Sequence, residues 1–105
     1  MSDSGSGGVQ KVPISNTVLN NGTVTYQNVS CTDYEMQIGS SDGAAHNGVN
    51  LSAPSGCYLS PGSVDVPATG TVNAHCYVPT SNNGAVSVTV TESGYLSNSI
   101  QVQSG

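Results

Sequence analysis

Thr71-Val72-Asn73-Ala74-His75-Cys76-Tyr77-Val78 alternates without a break, with Val72, Ala74, Cys76 and Val78 on one side and Thr71, Asn73, His75 and Tyr77 on the other. A repeat of two is that of a strand with one face in a core and one in water. The same alternation governs Val86 to Thr91, Ile100 to Gln103, Asp33 to Ile38 and Val64-Asp65-Val66, and no helical spacing competes with it. Asn20-Asn21-Gly22 and Asn82-Asn83-Gly84 each precede a strand-like run, and Asn-Gly supplies the positive φ angles of tight hairpins. Pro61-Gly62, Pro67 to Gly70, Pro79 to Ser81 and Ser93-Gly94 mark further turns. The expected strands therefore fall near 9–14, 22–31, 33–39, 49–52, 57–66, 70–78, 85–92 and 98–103. Seven or eight short strands read as an all-β antiparallel sandwich. Val24 and Tyr26 share a parity that Val29 and Cys31 break, which predicts a bulge or kink near Asn28.

Composition narrows what such a sandwich does. Lys11 is the only Lys or Arg in 105 residues, set against six carboxylates, for a net charge of −5. Gripping nucleic acid or an anionic membrane surface takes clusters of basic residues, so neither partner is expected. The length suits one domain with a thin core, for which a covalent staple is valuable. Without Trp or Phe, the apolar bulk is expected from Val, Ile, Leu, Met and the five tyrosines. No apolar run approaches the roughly 20 residues of a membrane-spanning helix. Residues 1–8 are Ser- and Gly-rich with nothing apolar after Met1, so they are expected to be a disordered tether ahead of a domain at 9–105, and no signal peptide is read in them.

Cys31, Cys57 and Cys76 are too far apart for a CxxC site. A disulfide is the better reading of them. Pairing 57–66 with 70–78 brings Cys57 near Cys76, the preferred bridge, with Cys31 to Cys57 the alternative; either would stabilise by about 3 kcal/mol. His75 and His46, with Asp33 or Asp42, have the residue types of a metal site. Against that, His75 lies on a polar strand face, and His46 falls in the Gly/Ser/Asn-rich stretch 40–50, expected to be a loop. No metal or other cofactor is expected. Cys76 points away from the adjacent His75, which removes a Cys-His pair, and no Gly-x-Ser-x-Gly elbow or phosphate loop is present. The chain is read as a non-enzyme. Tyr77, on a polar face, and Tyr95, at the Ser93-Gly94 turn, are the candidate binding residues. The sequons at Asn21, Asn28 and Asn50 are what a chain rich in Ser, Thr and Asn yields by chance.

The runs Asn21 to Val29, Ser63 to Val72 with its Pro67-Ala68-Thr69-Gly70-Thr71-Val72 segment, Val78-Pro79 and Ala85 to Val90 together resemble bacterial immunoglobulin-like repeat modules across residues 12–103. Ser2 to Gly8 looks like the segment that follows the lipidated cysteine of a small Gram-negative lipoprotein, with Met1 in the cysteine's place. What these resemblances imply is an extracytoplasmic location, in the periplasm, on the outer membrane as a lipoprotein or at the cell surface. They also imply a non-catalytic role in adhesion, spacing or envelope contact with a protein partner, any membrane contact being through an N-terminal lipid. A carbohydrate- or ligand-binding module using Tyr77, Tyr95 and the 40–50 loop is the alternative. Strand edges with no basic residue to blunt them add a route for a partner to pair by strand addition.

Overall fold

The computed structural model of the protein describes residues 10–104; the expected tether at 1–8 lies outside them. Among the described residues there are eight strands and no helix. They are β1 (Ile14–Tyr26), β2 (Val29–Ser40), β3 (His46–Ser52), β4 (Tyr58–Ser60), β5 (Ser63–Val66), β6 (Thr71–Pro79), β7 (Ala85–Thr91) and β8 (Asn98–Ser104). They form two four-stranded antiparallel sheets, ordered β1-β2-β6-β4 and β5-β3-β7-β8. The period-two faces meet between the sheets: Met36, Ile38, Ala74, Cys76 and Val78 from the first, and Val49, Leu51, Val64, Val66, Val86, Val88, Val90, Ile100 and Val102 from the second. Apart from β2, which also buries Cys31 and Gly39 on its other face, these strands bury one side only, so the alternation is a direct image of the layers.

The N-terminal segment fills one side of the seam. Lys11 forms a lone parallel bridge with Leu96 rather than the expected strand at 9–14, and Val12 is buried in the core. The chain then crosses to the first sheet and begins β1. Elsewhere the Tyr34 hydroxyl donates to Gln103 Oε1 at 3.1 Å, and Gln103 Nε2 donates to the carbonyls of Asn82 and Gly84, linking β2, β8 and the β6–β7 loop. That loop joins strands of different sheets, so Asn82-Asn83-Gly84 is not a hairpin turn.

Two corrections concern β1 and β2. The expected strand at 22–31 is cut by a two-residue hairpin at Gln27 and Asn28, whose φ angles of 51° and 65° are those of a type I′ turn. Across such a turn partners sit symmetrically, Tyr26 opposite Val29 and Val24 opposite Cys31. The broken parity in the sequence is therefore a fold-back and not a kink in one strand. Asn20-Asn21-Gly22, expected to be a hairpin, is instead a bulge inside β1. Gly22 takes φ +93°, its N–H donates to Asn20 Oδ1, and the register shifts between Asn20 and Thr23. An extra residue reverses the side chains' facing. Val18 packs against the core, whereas beyond the bulge Val24 and Tyr26 face outward.

A third correction concerns 57–66, which is two strands. The chain leaves β4 at the cis Ser60–Pro61 bond and enters β5, which pairs with β3 in the other sheet, so only β4 lies beside β6. None of the five tyrosines joins the fully buried core: Tyr34 and Tyr95 pack against its margin, and the other three stand outside it.

Candidate functional site

The outer faces of the two sheets differ in chemistry. On the second sheet, Ser87, Thr89, Ser99 and Gln101 point to solvent in the ordinary way. On the first, the β1 bulge and the Gln27–Asn28 turn bring Val24, Tyr26, Val29 and Cys31 to the outer face beside Tyr77 of β6 and Tyr58 of β4, which is opposite Tyr77. Tyr26 and Tyr77 stack with centroids 4.5 Å apart and planes 13° from parallel. Tyr58 tilts against Tyr26 at 5.1 Å, and His75 continues the row beyond Tyr77 at 6.0 Å. Cys31 is fully buried yet is not part of the core between the sheets. Its register puts it beneath this outer cluster, on the face it shares with Asp33 and Tyr77.

The other half of the face is polar. Asp33 and Glu35 of β2 lie opposite Tyr77 and His75 of β6. Asp33 Oδ1 is 2.7 Å from His75 Nδ1, with Asp33 mostly buried and His75 a third exposed. Glu35 accepts from Asn21 Nδ2 at 2.8 Å, so the bulge also supplies a side chain here; that bond, opposed by some loss of hydration, holds Glu35 below the usual carboxylate range. Burial first, then the nearby Asp33 carboxylate and Tyr26, push the Tyr77 hydroxyl up, so it stays protonated and able to donate. Asp33 and His75 form an oriented acid-imidazole pair, but the adjacent Cys76 is buried on the opposite side of the sheet. The pair has a base's geometry without a neighbouring thiol.

His46 and Asp42, named with His75 and Asp33 as possible metal ligands, belong to a separate cluster. Stretch 40–50 is not all loop: β3 begins at His46, which is buried in line with Val49 and Leu51. A bulge at Gly48 (φ +71°), whose N–H donates to Asp65 Oδ1, shifts the register between His46 and Val49 and hides that alignment from the sequence. His46 Nε2 lies 2.9 Å from Asp42 Oδ1, which also accepts from the Ser40 hydroxyl and the Ala44 N–H. Nδ1 lies 3.2 Å from Glu92 Oε2 and 3.0 Å from Oε1, the hydrogen bond going to Oε2 and leaving Oε1 buried without one. Two carboxylates can only accept, so the ring donates from both nitrogens as an imidazolium. The bond to Asp42 raises the His46 pKa against the pull of burial, and the same bond is the largest cause holding Asp42 at about 2. With both nitrogens engaged and Tyr95 edge-on at 5.6 Å, His46 ties β3 to the loops on either side and has no lone pair to offer a metal or a substrate. Among the described residues no group of three His, Cys, Asp or Glu side chains is arranged around a common point.

Tyr77 and Tyr95 are thus on different parts of the molecule and form no common site. Tyr77 heads the aromatic row, whereas Tyr95 covers the core margin beside His46. Tyr26 and Tyr58 were the residues missed; the parity break at 24–31 was the signal for Tyr26, and nothing local marked Tyr58. The expected Cys57–Cys76 bridge is not formed, all three cysteines being free thiols. Cys76 is opposite Leu59 of β4, which puts Cys57, two residues earlier, diagonal to it rather than directly across. Burial, with a smaller contribution from Cys57, pushes the Cys76 thiol up to about 12, and burial also raises Cys57. No family model, curated protein or solved structure matches the chain.

Proposed function

We propose that the protein is a non-catalytic binding module that contacts a protein partner through the outer face of β1-β2-β6-β4. The observation that carries this reading is the asymmetry of the two outer faces. A small sandwich keeps such faces hydroxyl- and amide-rich, as the second sheet does, whereas the first gathers Val24, Tyr26, Val29, Tyr58 and Tyr77 over a buried Cys31. Tyrosine is enriched at the energetic centres of protein interfaces, where an apolar ring and a hydroxyl act together. A sugar platform is less well served, since stacking on a pyranose needs a free ring face and Tyr26 and Tyr77 cover one another's.

Strand order supports an immunoglobulin-like assignment. β1-β2-β6-β4 follows A-B-E-D and β3-β7-β8 follows C-F-G, with β5 added beside β3. β4 takes the D position but precedes β5 in the chain, a departure from the simple constant-type order. An extracytoplasmic setting at the bacterial envelope, with residues 1–8 as the tether, fits the scarcity of charge. The test is capture from envelope extract by the wild-type domain and by Tyr77→Ser, with folding checked by amide NMR. Loss of a captured protein with Tyr77→Ser supports the reading; equal capture by both, or binding to a glycan array without any protein, rejects it.

A further inference from the structure

We infer that the partner's contact segment is cationic, an Arg- or Lys-bearing peptide stretch laid along β2 and β6; this rests on the reading of the tyrosine face as the docking surface. The face has two halves side by side. Val24, Tyr26, Val29 and Tyr77 are half-buried and apolar, and Asp33 and Glu35 follow along β2 in the same row. No Lys or Arg of the chain balances them, because the only one, Lys11, is committed to the segment beside Leu96. His75 is hydrogen-bonded to Asp33 and lies across from Glu35, where its charge is the smallest influence on that carboxyl, and the hydrogen bonds to Glu35 come from the amides of Asn21 and Gln37, which bring no charge. Amides orient a carboxylate without neutralising it, so Glu35 retains its attraction for a cation.

Arg and Lys match both halves at once. Their methylene stems lie along apolar surface while the charged head reaches on to a carboxylate. Between the end of the aromatic row at Tyr77 and Glu35 there is a single diagonal step of the sheet, a span such a stem covers. A second copy of this chain is a poor occupant, since it carries the same net charge of −5 and the same acidic face. An acidic or neutral segment would leave Glu35 facing either a like charge or none.

A random dodecapeptide display library selected on the wild-type domain separates the possibilities, with enriched peptides mapped by amide chemical shifts. The expected result is enrichment in Arg and Lys, perturbations centred on Glu35, His75 and Tyr77, and affinity that falls about threefold on Glu35→Gln and further with added salt. Glu35 is on the surface, so the variant folds. Neutral or acidic peptides that map to the same face overturn the cationic assignment and leave the docking surface standing. Peptides that map elsewhere, or no enrichment above an unloaded support, overturn both.

Discussion

Replacing His46 with Leu should destabilise the domain by about 3 kcal/mol, the lower end of what removing one partner from a buried ion pair costs. The low end applies because the two carboxylates left behind differ in exposure. Asp42 is 40% exposed and regains water, whereas Glu92 is 13% exposed and keeps a buried charge with no counter-charge. With a urea m-value of about 1.5 kcal/mol/M, the unfolding midpoint falls by about 2 M. The double variant His46→Leu, Glu92→Leu removes the orphaned charge together with its partner, so it should recover more than half of the loss. Urea unfolding followed by far-ultraviolet circular dichroism at pH 5.5 measures all three proteins. A single variant within about 0.5 kcal/mol of wild type, the usual range of surface changes, would refute the account of the cluster, as would a double variant no better than the single.

The same cluster fixes a pH dependence. His46 is raised above 6.5 in the folded state, so its contribution is complete below 6.5 and fades as pH rises through the raised value. Asp42 is lowered from 3.8 to about 2, so its contribution is complete above 3.8 and fades as pH falls toward 2. Stability should therefore be flat from 4.5, the ordinary value of the lowered Glu35 carboxyl, up to 6.5. His46→Leu should abolish the decline through neutral pH, leaving the separate decline above 9.0 that the raised Cys57 and Cys76 thiols produce; a wild-type curve still rising through about pH 8 contradicts the assignment. Val88→Ala should cost about 2 kcal/mol and its neighbour Ser87→Ala under about 0.5 in the same urea assay, because one faces the core and the other water. Gly22→Val should destabilise by about 1–2 kcal/mol through its positive φ, although nothing lies within 4 Å of the added Cβ. Alkylation in urea without reductant, read by mass spectrometry, should add three groups, and in the native state Cys57 should react well ahead of the buried Cys31 and Cys76. A single group added in urea would show a bridge in the purified protein.

What could be read from the sequence and what could not divides along a physical line. Faces that stay in one register for a whole strand were plain: Val72 to Val78, Val86 to Val90 and Ile100 to Val102 all bury the side their alternation marks. Errors came where the backbone changes register or sheet. Asn20-Asn21-Gly22 has the residues of a hairpin turn and makes a bulge, because Asn-Gly serves positive φ in either setting and the choice depends on the neighbouring strand. Gly48 conceals that His46 is in line with Val49, and Pro61 separates two strands that go to different sheets. Cross-strand neighbours more than a hairpin apart, such as Tyr58 and Tyr77 or His46 and Glu92, leave no local trace. Of the candidate site, Tyr77 was therefore legible from its strand face, and the company it keeps was not.

The central claim is that the first sheet's outer face, and not the second's, meets the partner. A photo-crosslinking side chain placed at Asn73, exposed on the outer face of β6, can be compared with one at Gln101, exposed on the outer face of β8, in the same envelope extract. The account predicts one covalent adduct from Asn73, competed away by excess unlabelled domain, and none from Gln101. An adduct that forms from Gln101 while Asn73 stays free would contradict it.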